Sequence, residues 1–374
     1  MASPPGDAPD PDRFADSFSV YEIRRDGSQI RYVGDPVAPR DEVVETVWPA
    51  FREAGYEVEL HWEDGEFVLV AHPTHRREGI PWANLVLLVA TVATTLYAGA
   101  GWYYVSPLFV EGFPWINPDI VDALPFTLAV LGVLGTHELG HYLVSRYHDV
   151  DASLPYFIPM LPPFGTMGAV IRMRGRIPDR RVLFDIGVAG PLAGLVATVV
   201  VTVIGLTLPP VTVPAWVLQG PSIVIEFGYP PLLVILADLV GEPLTYQSPR
   251  TVVNPVVLGG WIGMFVTFLN LIPVGQLDGG HITRAIVGPA QRRLAMVVPV
   301  ALFGLAGYLY FLRDIDQSVG IWVLWGILTY VVATVGPADP IVDEPLDHAR
   351  ILLGGFTLLL GILCFTPVPI RIGG

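Results

Sequence analysis

The hydrophobic pattern divides the chain into a mixed leading region and a long apolar region. Within residues 17–80, apolar and polar side chains alternate over four short runs, which is typical of half-buried strands. Between the second and third runs, residues 40–55 repeat their apolar side chains every three or four positions and predict a helix, in which Pro49 is out of place. We therefore expect a small α+β unit of two hairpins and one helix. The predicted strands are 19–25, 29–35, 57–62 and 66–72.

From Pro81 onward, successive apolar runs are each long enough to cross a hydrocarbon core about 30 Å thick as a helix of about 20 residues. A further stretch, 221–241, is interrupted by Glu226, Asp238 and several Gly and Pro residues, so we expect it to be interfacial or re-entrant. The predicted fold class is mainly α, a polytopic membrane protein with about seven transmembrane helices and a small α+β soluble N-terminal domain. The predicted spans are 83–105, 123–147, 183–207, 252–273, 294–312, 319–337 and 350–368.

These patterns predict three regions along the chain. Residues 1–16 are rich in Pro, Asp and Gly and are expected to be disordered. Residues 17–80 are expected to form the soluble cytoplasmic α+β domain, and residues 81–374 the transmembrane domain.

Composition agrees with a membrane protein and excludes several other classes. Apolar types make up 52% of the 374 residues and charged types only 15%, against about 25% in soluble domains. The single cysteine, Cys364, excludes intramolecular disulfides and cysteine-based zinc fingers. A net charge of −14 without a basic stripe predicts no nucleic-acid partner. All 21 basic residues are arginine, and this acidic, lysine-free composition would suit a salt-rich cytoplasm.

The arginines also predict an orientation, because short cytoplasmic loops retain positive charge. With seven crossings and a cytoplasmic N-terminus, all three arginine clusters fall on the cytoplasmic side, whereas an eighth crossing at 221–241 would move the third cluster outside. We expect a multi-pass protein in the plasma membrane of a halophilic prokaryote. The clusters are Arg76 and Arg77; Arg172, Arg174, Arg176, Arg180 and Arg181; and Arg284, Arg292 and Arg293.

The second predicted span contains the sequence His137-Glu138-Leu139-Gly140-His141. Two histidines four positions apart share one helix face and can bind one metal ion, while Glu138 can reach a water molecule on that ion. Ionisable residues cost several kcal/mol inside a membrane, so three of them in five positions indicate a functional site. The competing interpretation is a polar cluster satisfied by neighbouring helices, such as a proton relay. We favour a zinc site.

A catalytic zinc ion takes three protein ligands and water, so a third ligand must come from elsewhere in the chain. Asp278 follows the fourth apolar run in a Pro/Gly-rich segment that we expect to be non-helical. Both spans run inward, so Asp278 and the two histidines are expected at the same depth. His281 is a possible substitute ligand, but we expect it to be a solvated turn residue.

Together, the HExxH sequence and the later sequence from Asn270 to Gly279 resemble the site-2 protease family of intramembrane zinc metalloproteases. The resemblance covers about 123–285 and includes Ala189–Gly194, which is similar to the glycine-rich third core helix of that family. Many members carry Asn where this chain has Gly194, so we assign that position no role. All fixed positions of the family pattern HExxH plus NxxPxxxLDG are present: His137, Glu138, His141, Asn270, Pro273, Leu277, Asp278 and Gly279.

The resemblance implies one Zn²⁺ per chain, held by His137, His141 and Asp278, with Glu138 as the catalytic base. It also implies that Asn270 contacts the substrate or the developing oxyanion. The segment from Pro163 to Gly175, with its alternating Ala and Ile residues, predicts a short hairpin. It resembles the substrate-binding edge strand of the family, in which we place Gly165 and Gly168; an ordinary cytoplasmic loop is the competing interpretation.

Two functions from different classes remain after these observations. The first is an intramembrane zinc endopeptidase, with residues 81–374 as its metalloprotease domain, that cuts single-span membrane proteins near the cytoplasmic face of the lipid bilayer. The second is a polytopic transporter whose His/Glu/Asp cluster carries protons or metal ions, for which paired half-repeats would be expected and are not seen in the sequence. A protease-like protein without activity is a third possibility, which the complete motifs disfavour.

Overall fold

A computed structural model describes residues 9–63, 65–73, 80–106, 118–174, 176–219 and 224–373. The chain forms two compact units. The first contains Met1–Ile80 together with Gly175–Pro178 and Pro340–Val342. The second contains Pro81–Arg174, Asp179–Asp339 and Asp343–Gly374.

One helix and a four-stranded antiparallel sheet in the order β1-β2-β4-β3 form most of the first unit. The four runs of alternating apolar and polar residues form strands. The run whose apolar residues recur every three or four positions forms a helix that contains Pro49. Sheet order is not sequential because β2 pairs with β4, Tyr32 lying opposite Leu69. The elements are β1 (Phe18–Asp26), β2 (Gln29–Pro36), α1 (Arg40–Glu53), β3 (Tyr56–Glu63) and β4 (Glu66–Pro73).

The start of the chain differs from the predicted disorder. Pro11–Arg13 is a short 3₁₀ helix, and the hydroxyl of Tyr32 donates to the carbonyl of Pro9 at 2.9 Å. Phe14 is 3% exposed, with its ring centroid 5.2 Å from that of Phe51. A charged, Pro-rich stretch therefore orders because one aromatic side chain enters the core of the first unit; residues 1–8 lie outside the described part of the chain.

Two distant chain segments complete the first unit. They contribute β13 (Pro340–Val342) and the first two residues of β9 (Ile177–Asp179). The two strands pair as a two-stranded sheet. Ile341 of β13 packs against the buried apolar cluster that also contains Phe14 and Phe51.

Helices dominate the second unit, in which α4 packs closely against both α3 and α7. These helices carry few charges and many small residues, so their backbones approach closely. The helices are α2 (Trp82–Trp102), α3 (Leu124–Tyr147), α4 (Arg180–Thr207), α5 (Ala215–Gln219), α6 (Pro231–Val240), α7 (Pro255–Asn270), α8 (Asp278–Val287), α9 (Gln291–Arg313), α10 (Val319–Val335) and α11 (His348–Leu363).

Short strands join the loops of the second unit in pairs: β5 with β8, β6 with β7, β10 with β12 and β11 with β14. The strands are β5 (Asp151–Ala152), β6 (Tyr156–Pro159), β7 (Thr166–Val170), β8 (Met173–Arg174), β10 (Val211–Thr212), β11 (Val224–Phe227), β12 (Thr251–Val252) and β14 (Ile370–Gly373). The predicted hairpin within 163–175 is wrong in its pairing, because β7 pairs with the preceding β6, Tyr156 opposite Val170.

Each of the seven predicted spans contains a helix, but the helices differ in length. Among the described residues, four helical runs are long and apolar enough to cross a membrane: Trp82–Trp102, Asp119–Tyr147, Arg180–Thr207 and Asp278–Arg313. Three others, α7, α10 and α11, have 16, 17 and 16 residues. Within the broken stretch 221–241, the described residues form the strand β11 and the ten-residue helix α6. The chain is therefore a mainly helical membrane protein.

Removing the side chain of Phe14 tests the anchoring of the chain start. We expect Phe14→Ala to lower the free energy of unfolding of the first unit by about 3 kcal/mol, because a buried ring leaves a cavity. Tyr21→Ala is the matched control, since Tyr21 is 54% exposed. The measurement is the rate of proteolytic cleavage within residues 9–73 of the full-length protein. Equal rates for the two variants would contradict a packed role for Phe14.

Candidate metal centre

Helix α3 brings two imidazoles to one point. His137 and His141 lie one turn apart and are 3% and 5% exposed, and their Nε2 atoms are 3.2 Å apart. Nδ1 of His141 lies 2.8 Å from the carbonyl oxygen of Ile186. Because a carbonyl only accepts, Nδ1 carries the proton, and the lone pair of Nε2 remains for a metal ion.

Asp278 reaches the same point from α8. Its Oδ2 lies 3.1 Å from Nε2 of His137, and its Oδ1 lies 3.2 Å from Nε2 of His141. The prediction of a non-helical position for Asp278 is wrong, since it is the first residue of α8. A carboxylate is stabilised there by the helix dipole, so the chain begins the helix at this residue.

The three groups match the geometry that zinc requires. One ligand atom from each of His137, His141 and Asp278 lies within 4.8 Å of the others. Zinc binds imidazole and carboxylate at about 2.0–2.2 Å, so two ligands of a tetrahedral site stand about 3.3 Å apart. The observed separations of 3.1 and 3.2 Å agree with that value. Within the described chain, no other group of three or more His, Cys, Asp or Glu side chains converges in this way.

Asn270, the last residue of α7, also faces this centre. Its Nδ2 lies 3.1 Å from Nε2 of His137, the same separation as that of the Asp278 carboxylate from His137. The structure therefore brings Asn270 and Asp278 to one imidazole, although eight positions separate them in the sequence.

A cavity of about 190 Å³ opens beside the three groups. Glu138 is 6% exposed and lines the cavity next to the histidines. Ala169 and Val170, at the end of β7, and the following residue Ile171 also line it. The cavity thus places a carboxylate, an extended backbone and the donor set around one small volume.

The two glycines predicted on the edge strand occupy different positions. The Thr94 hydroxyl donates to the carbonyl of Gly165 at 2.6 Å, and a Cβ on Gly165 would lie 2.5 Å from the Thr94 carbonyl. Gly165 therefore packs against α2 rather than lining the cavity. Gly168 has a φ of +118°, and a Cβ there would meet no atom within 4 Å. Neither glycine is among the residues that line the cavity.

The prediction of a solvated turn for His281 is wrong. This residue lies in α8, is 5% exposed and lines the cavity. It is buried because α8 packs against α4, where a Cβ on Gly187 would stand 3.3 Å from Cβ of His281. Its ligand atoms do not join the converging group of three.

Two glycines of α4 are the site residues that the sequence reasoning missed. A Cβ on Gly190 would overlap the imidazole of His141, and a Cβ on Gly194 would lie 2.8 Å from Nδ1 of His137. Gly194, to which the sequence assigned no role, therefore makes room for a metal-facing imidazole. The available signal was the four-residue spacing of two glycines on an apolar helix, which is typical of close helix packing.

Comparison with known proteins identifies the family. The model of Peptidase family M50 matches residues 125–305, which include the HExxH sequence, Asn270 and Asp278. The chain belongs to this family, the site-2 proteases. With the donor set described above, membership indicates zinc as the cofactor of the centre.

Two similar curated proteins come from Arabidopsis thaliana. The chain is 31% identical over 279 residues to probable zinc metalloprotease EGY1, chloroplastic, an alignment that covers 71% of this chain and 47% of the relative. It is 24% identical over 394 residues to probable zinc metallopeptidase EGY3, chloroplastic, covering 96% of this chain and 64% of the relative. The chain spans about half the length of the first of these. No solved structure matches.

Adding one methyl group at Gly190 tests the close approach of α4 to the centre. Gly190→Ala should abolish stoichiometric zinc binding, because the new Cβ and the His141 imidazole cannot occupy the same space. Gly132→Ala on α3 is the control, since a Cβ there meets no atom within 4 Å. Metal content of the purified variants is the measurement, and full zinc occupancy in Gly190→Ala would refute the arrangement.

Proposed function

We propose that this chain is an intramembrane zinc endopeptidase that hydrolyses peptide bonds of single-span membrane proteins within or near the bilayer. The observation that carries the proposal is the convergence of His137, His141 and Asp278 within 4.8 Å, beside Glu138, in a unit built of apolar helices. Membership of a peptidase family supports the same reaction.

In this proposal His137, His141 and Asp278 hold the zinc ion. Zinc bound there supplies a Lewis acid that polarises a carbonyl and activates water. The protein contributes the fixed triangle of donors, a hydrogen bond from His141 to the Ile186 carbonyl that orients the ring, and near-complete burial of both imidazoles.

Glu138 is the proposed catalytic base. It lies on the cavity wall next to His137, with its carboxylate almost buried. A carboxylate oxygen of Glu138 takes a proton from the attacking water and later delivers it to the nitrogen of the leaving amine. Burial suits this exchange, because few solvent molecules compete for the proton within the cavity.

Asn270 is the proposed donor to the developing oxyanion. Its amide stands 3.1 Å from Nε2 of a metal-facing imidazole, so a substrate carbonyl bound at the centre would lie within its reach. Stabilisation of charge by a fixed donor in a buried site acts most strongly in the transition state. We assign no substrate contact to Gly165, because it packs against α2.

The proposed substrate-binding element is β7. A transmembrane helix hides its peptide bonds in internal hydrogen bonds, so a substrate must be extended before it is cut. Among the described residues, β7 pairs with β6 on one edge only, and its last residues line the cavity. An extended substrate segment added to the second edge would satisfy the backbone groups of both chains and present its peptide bond to the centre.

The transporter alternative receives no support from the comparisons, whose matches are peptidases. The donor set also argues against transport, because three convergent ligands with a neighbouring carboxylate form the arrangement of a hydrolytic zinc site. We therefore retain one function.

Seven crossings with a cytoplasmic N-terminus are the proposed membrane arrangement, in a prokaryotic, salt-rich plasma membrane. Strand pairing supports this arrangement, because two strands that pair must lie on the same side of the membrane. β11, in the connection between α4 and α7, pairs with β14, which follows α11, and the proposed arrangement puts both segments outside. β9 and β13 also pair, and both would lie inside. The relatives named above are chloroplastic proteins, whereas the acidic, lysine-free composition of this chain supports a salt-rich prokaryotic host.

Replacement of the proposed base tests the function. Glu138→Gln should keep zinc but cleave a single-span substrate about 10²–10⁴-fold more slowly, because the amide cannot accept the proton. His141→Ala is the companion variant and should lose zinc as well as activity. Cleavage is followed by gel analysis of a purified substrate with purified enzyme. Equal rates for Glu138→Gln and wild type, or no cleavage by zinc-loaded wild type, would count against the peptidase.

The membrane arrangement is tested with single cysteines in a Cys364→Ala background. Glu242→Cys lies just after α6, in the connection between α4 and α7, and Glu344→Cys lies in the loop between α10 and α11; both positions are exposed. In intact cells a membrane-impermeant maleimide should label Glu242→Cys only, and after lysis it should label both. Labelling of Glu344→Cys in intact cells would rule out seven crossings in this orientation.

A further inference from the structure

Four charged side chains form a network outside the metal centre. Nε of Arg284 donates to Asp339 at 2.9 Å, and Nη1 of Arg284 donates to Oδ1 of Asp343 at 2.9 Å. Nε of Arg180 donates to the same oxygen of Asp343. The hydrogen bond from Arg180 is the main reason that the pKa of Asp343 lies below its usual value, so this carboxylate stays charged. We call these four residues the strap network.

Both arginines are unusually well buried for charged residues, at 8% exposed for Arg180 and 7% for Arg284. A guanidinium that loses its partner in such a place retains an uncompensated charge. Because Asp343 pairs with both arginines, its displacement would cost each of them a partner, and we expect the arginines to follow it. A displacement of the aspartate would in this way be passed on to the helices that carry the two arginines.

The two arginines of the strap network belong to helices that form the metal centre. Arg284 is six positions after Asp278 on the ten-residue helix α8, so the two residues belong to one rigid element. Arg180 is the first residue of α4, the helix whose Gly190 and Gly194 stand against the metal-facing imidazoles. The helices α4 and α8, which both shape the metal centre, thus each contribute one arginine to the strap network.

The two carboxylates of the strap network are next in the chain to a strand of the first unit, the N-terminal unit. Asp339 and Asp343 immediately flank β13, and Pro340–Val342 belongs to that unit. Ile341 packs against the unit's apolar core. The partner strand β9 ends at Asp179, so the next residue of the chain is Arg180. Both strands of the β9–β13 sheet are therefore joined covalently to members of the strap network.

We propose that Arg180, Arg284 and Asp343 are positioning residues through which the N-terminal unit sets the position of Asp278 relative to His137 and His141. A shift of β13 carries Asp343 with it, Arg284 follows, and α8 moves as a body. The strength of zinc binding then depends on the state of a unit that supplies no ligand. The proposal rests on the metal centre and is independent of which substrate is cut.

The first test compares Asp343→Asn with Glu344→Gln in the full-length protein. The two substitutions remove the same charge from adjacent positions, and the described residues show no ion pair for Glu344. We expect Asp343→Asn to weaken zinc binding about 10-fold in a chelator competition, in the range found for residues that support metal ligands indirectly. The visible absorption bands of the Co²⁺-substituted protein should shift as well, because they report ligand geometry. Glu344→Gln should match wild type in both measurements.

Asp343→Glu separates positioning from folding, because it keeps the charge and should recover most of the affinity. Thermal unfolding of the metal-free variants is measured alongside. Should Asp343→Asn lower the unfolding temperature while the folded fraction keeps wild-type affinity and cobalt spectrum, the network would be merely structural and the proposal would fail. His141→Ala, which removes a ligand, shows whether the centre itself binds metal, and its failure to reduce binding would overturn the centre rather than the strap network.

The second test concerns the N-terminal unit. Ile341→Ala loosens β13 from the core of that unit without touching a charge, and Val37→Ala, at a position 61% exposed, is the control within the same unit. We expect Ile341→Ala to weaken zinc binding in the same direction as Asp343→Asn, and the double variant to lose less than the product of the two effects. Unchanged zinc affinity in Ile341→Ala, or fully independent effects, would overturn the role of the N-terminal unit.

Discussion

Everything in the second unit depends on bringing two imidazoles and one carboxylate to a single buried point. The histidines come from adjacent turns of α3, whereas Asp278 lies 141 positions after His137. Buried polar groups are costly unless they are paired or bind a metal. Convergence at 3.1–3.2 Å satisfies the three groups together, and it fixes how closely α3, α4 and α8 must approach.

That close approach explains the composition of α4. A side chain larger than hydrogen at Gly190 or Gly194 would occupy the space of a metal-facing imidazole. Glycine costs a helix interior about 1 kcal/mol relative to alanine, so its presence at two positions one turn apart reflects packing and not helix preference. The same helix supplies the Ile186 carbonyl, which fixes the proton of His141 on Nδ1. Thus α4 provides no ligand, yet it sets the space and the orientation of the ligands.

Local information predicted the elements and the donor set but not the contacts between distant segments. The alternation in residues 17–80 gave all four strands, since the period of two is a property of each strand alone. The pairing of β7 with β6 depends on where the chain turns back, and the run after Pro163 carries no information on its partner. Burial of Phe14 and of His281 depends on packing by elements far along the chain, which periodicity within their own segments cannot show.

The break between α7 and α8 follows from the same geometric requirement. In a continuous helix, eight residues would separate Asn270 from Asp278 by about 12 Å along the axis, yet both side chains lie 3.1 Å from Nε2 of His137. The chain must therefore turn back between them. Pro273 cannot continue a helix with full hydrogen bonding, and Gly275 adopts a φ of +49° that other residues rarely accept.

Glycine is also required directly after the carboxylate. A Cβ on Gly279 would overlap the Leu271 carbonyl, because the start of α8 lies against the backbone that has just left α7. The segment from Asn270 to Gly279 thus ends α7, reverses the chain and starts α8, so that the Asn270 amide and the Asp278 carboxylate reach the same imidazole. A sequence that keeps Asn270 and Asp278 but restores helix-forming residues at Pro273, Gly275 and Gly279 would separate two groups that must meet at one imidazole.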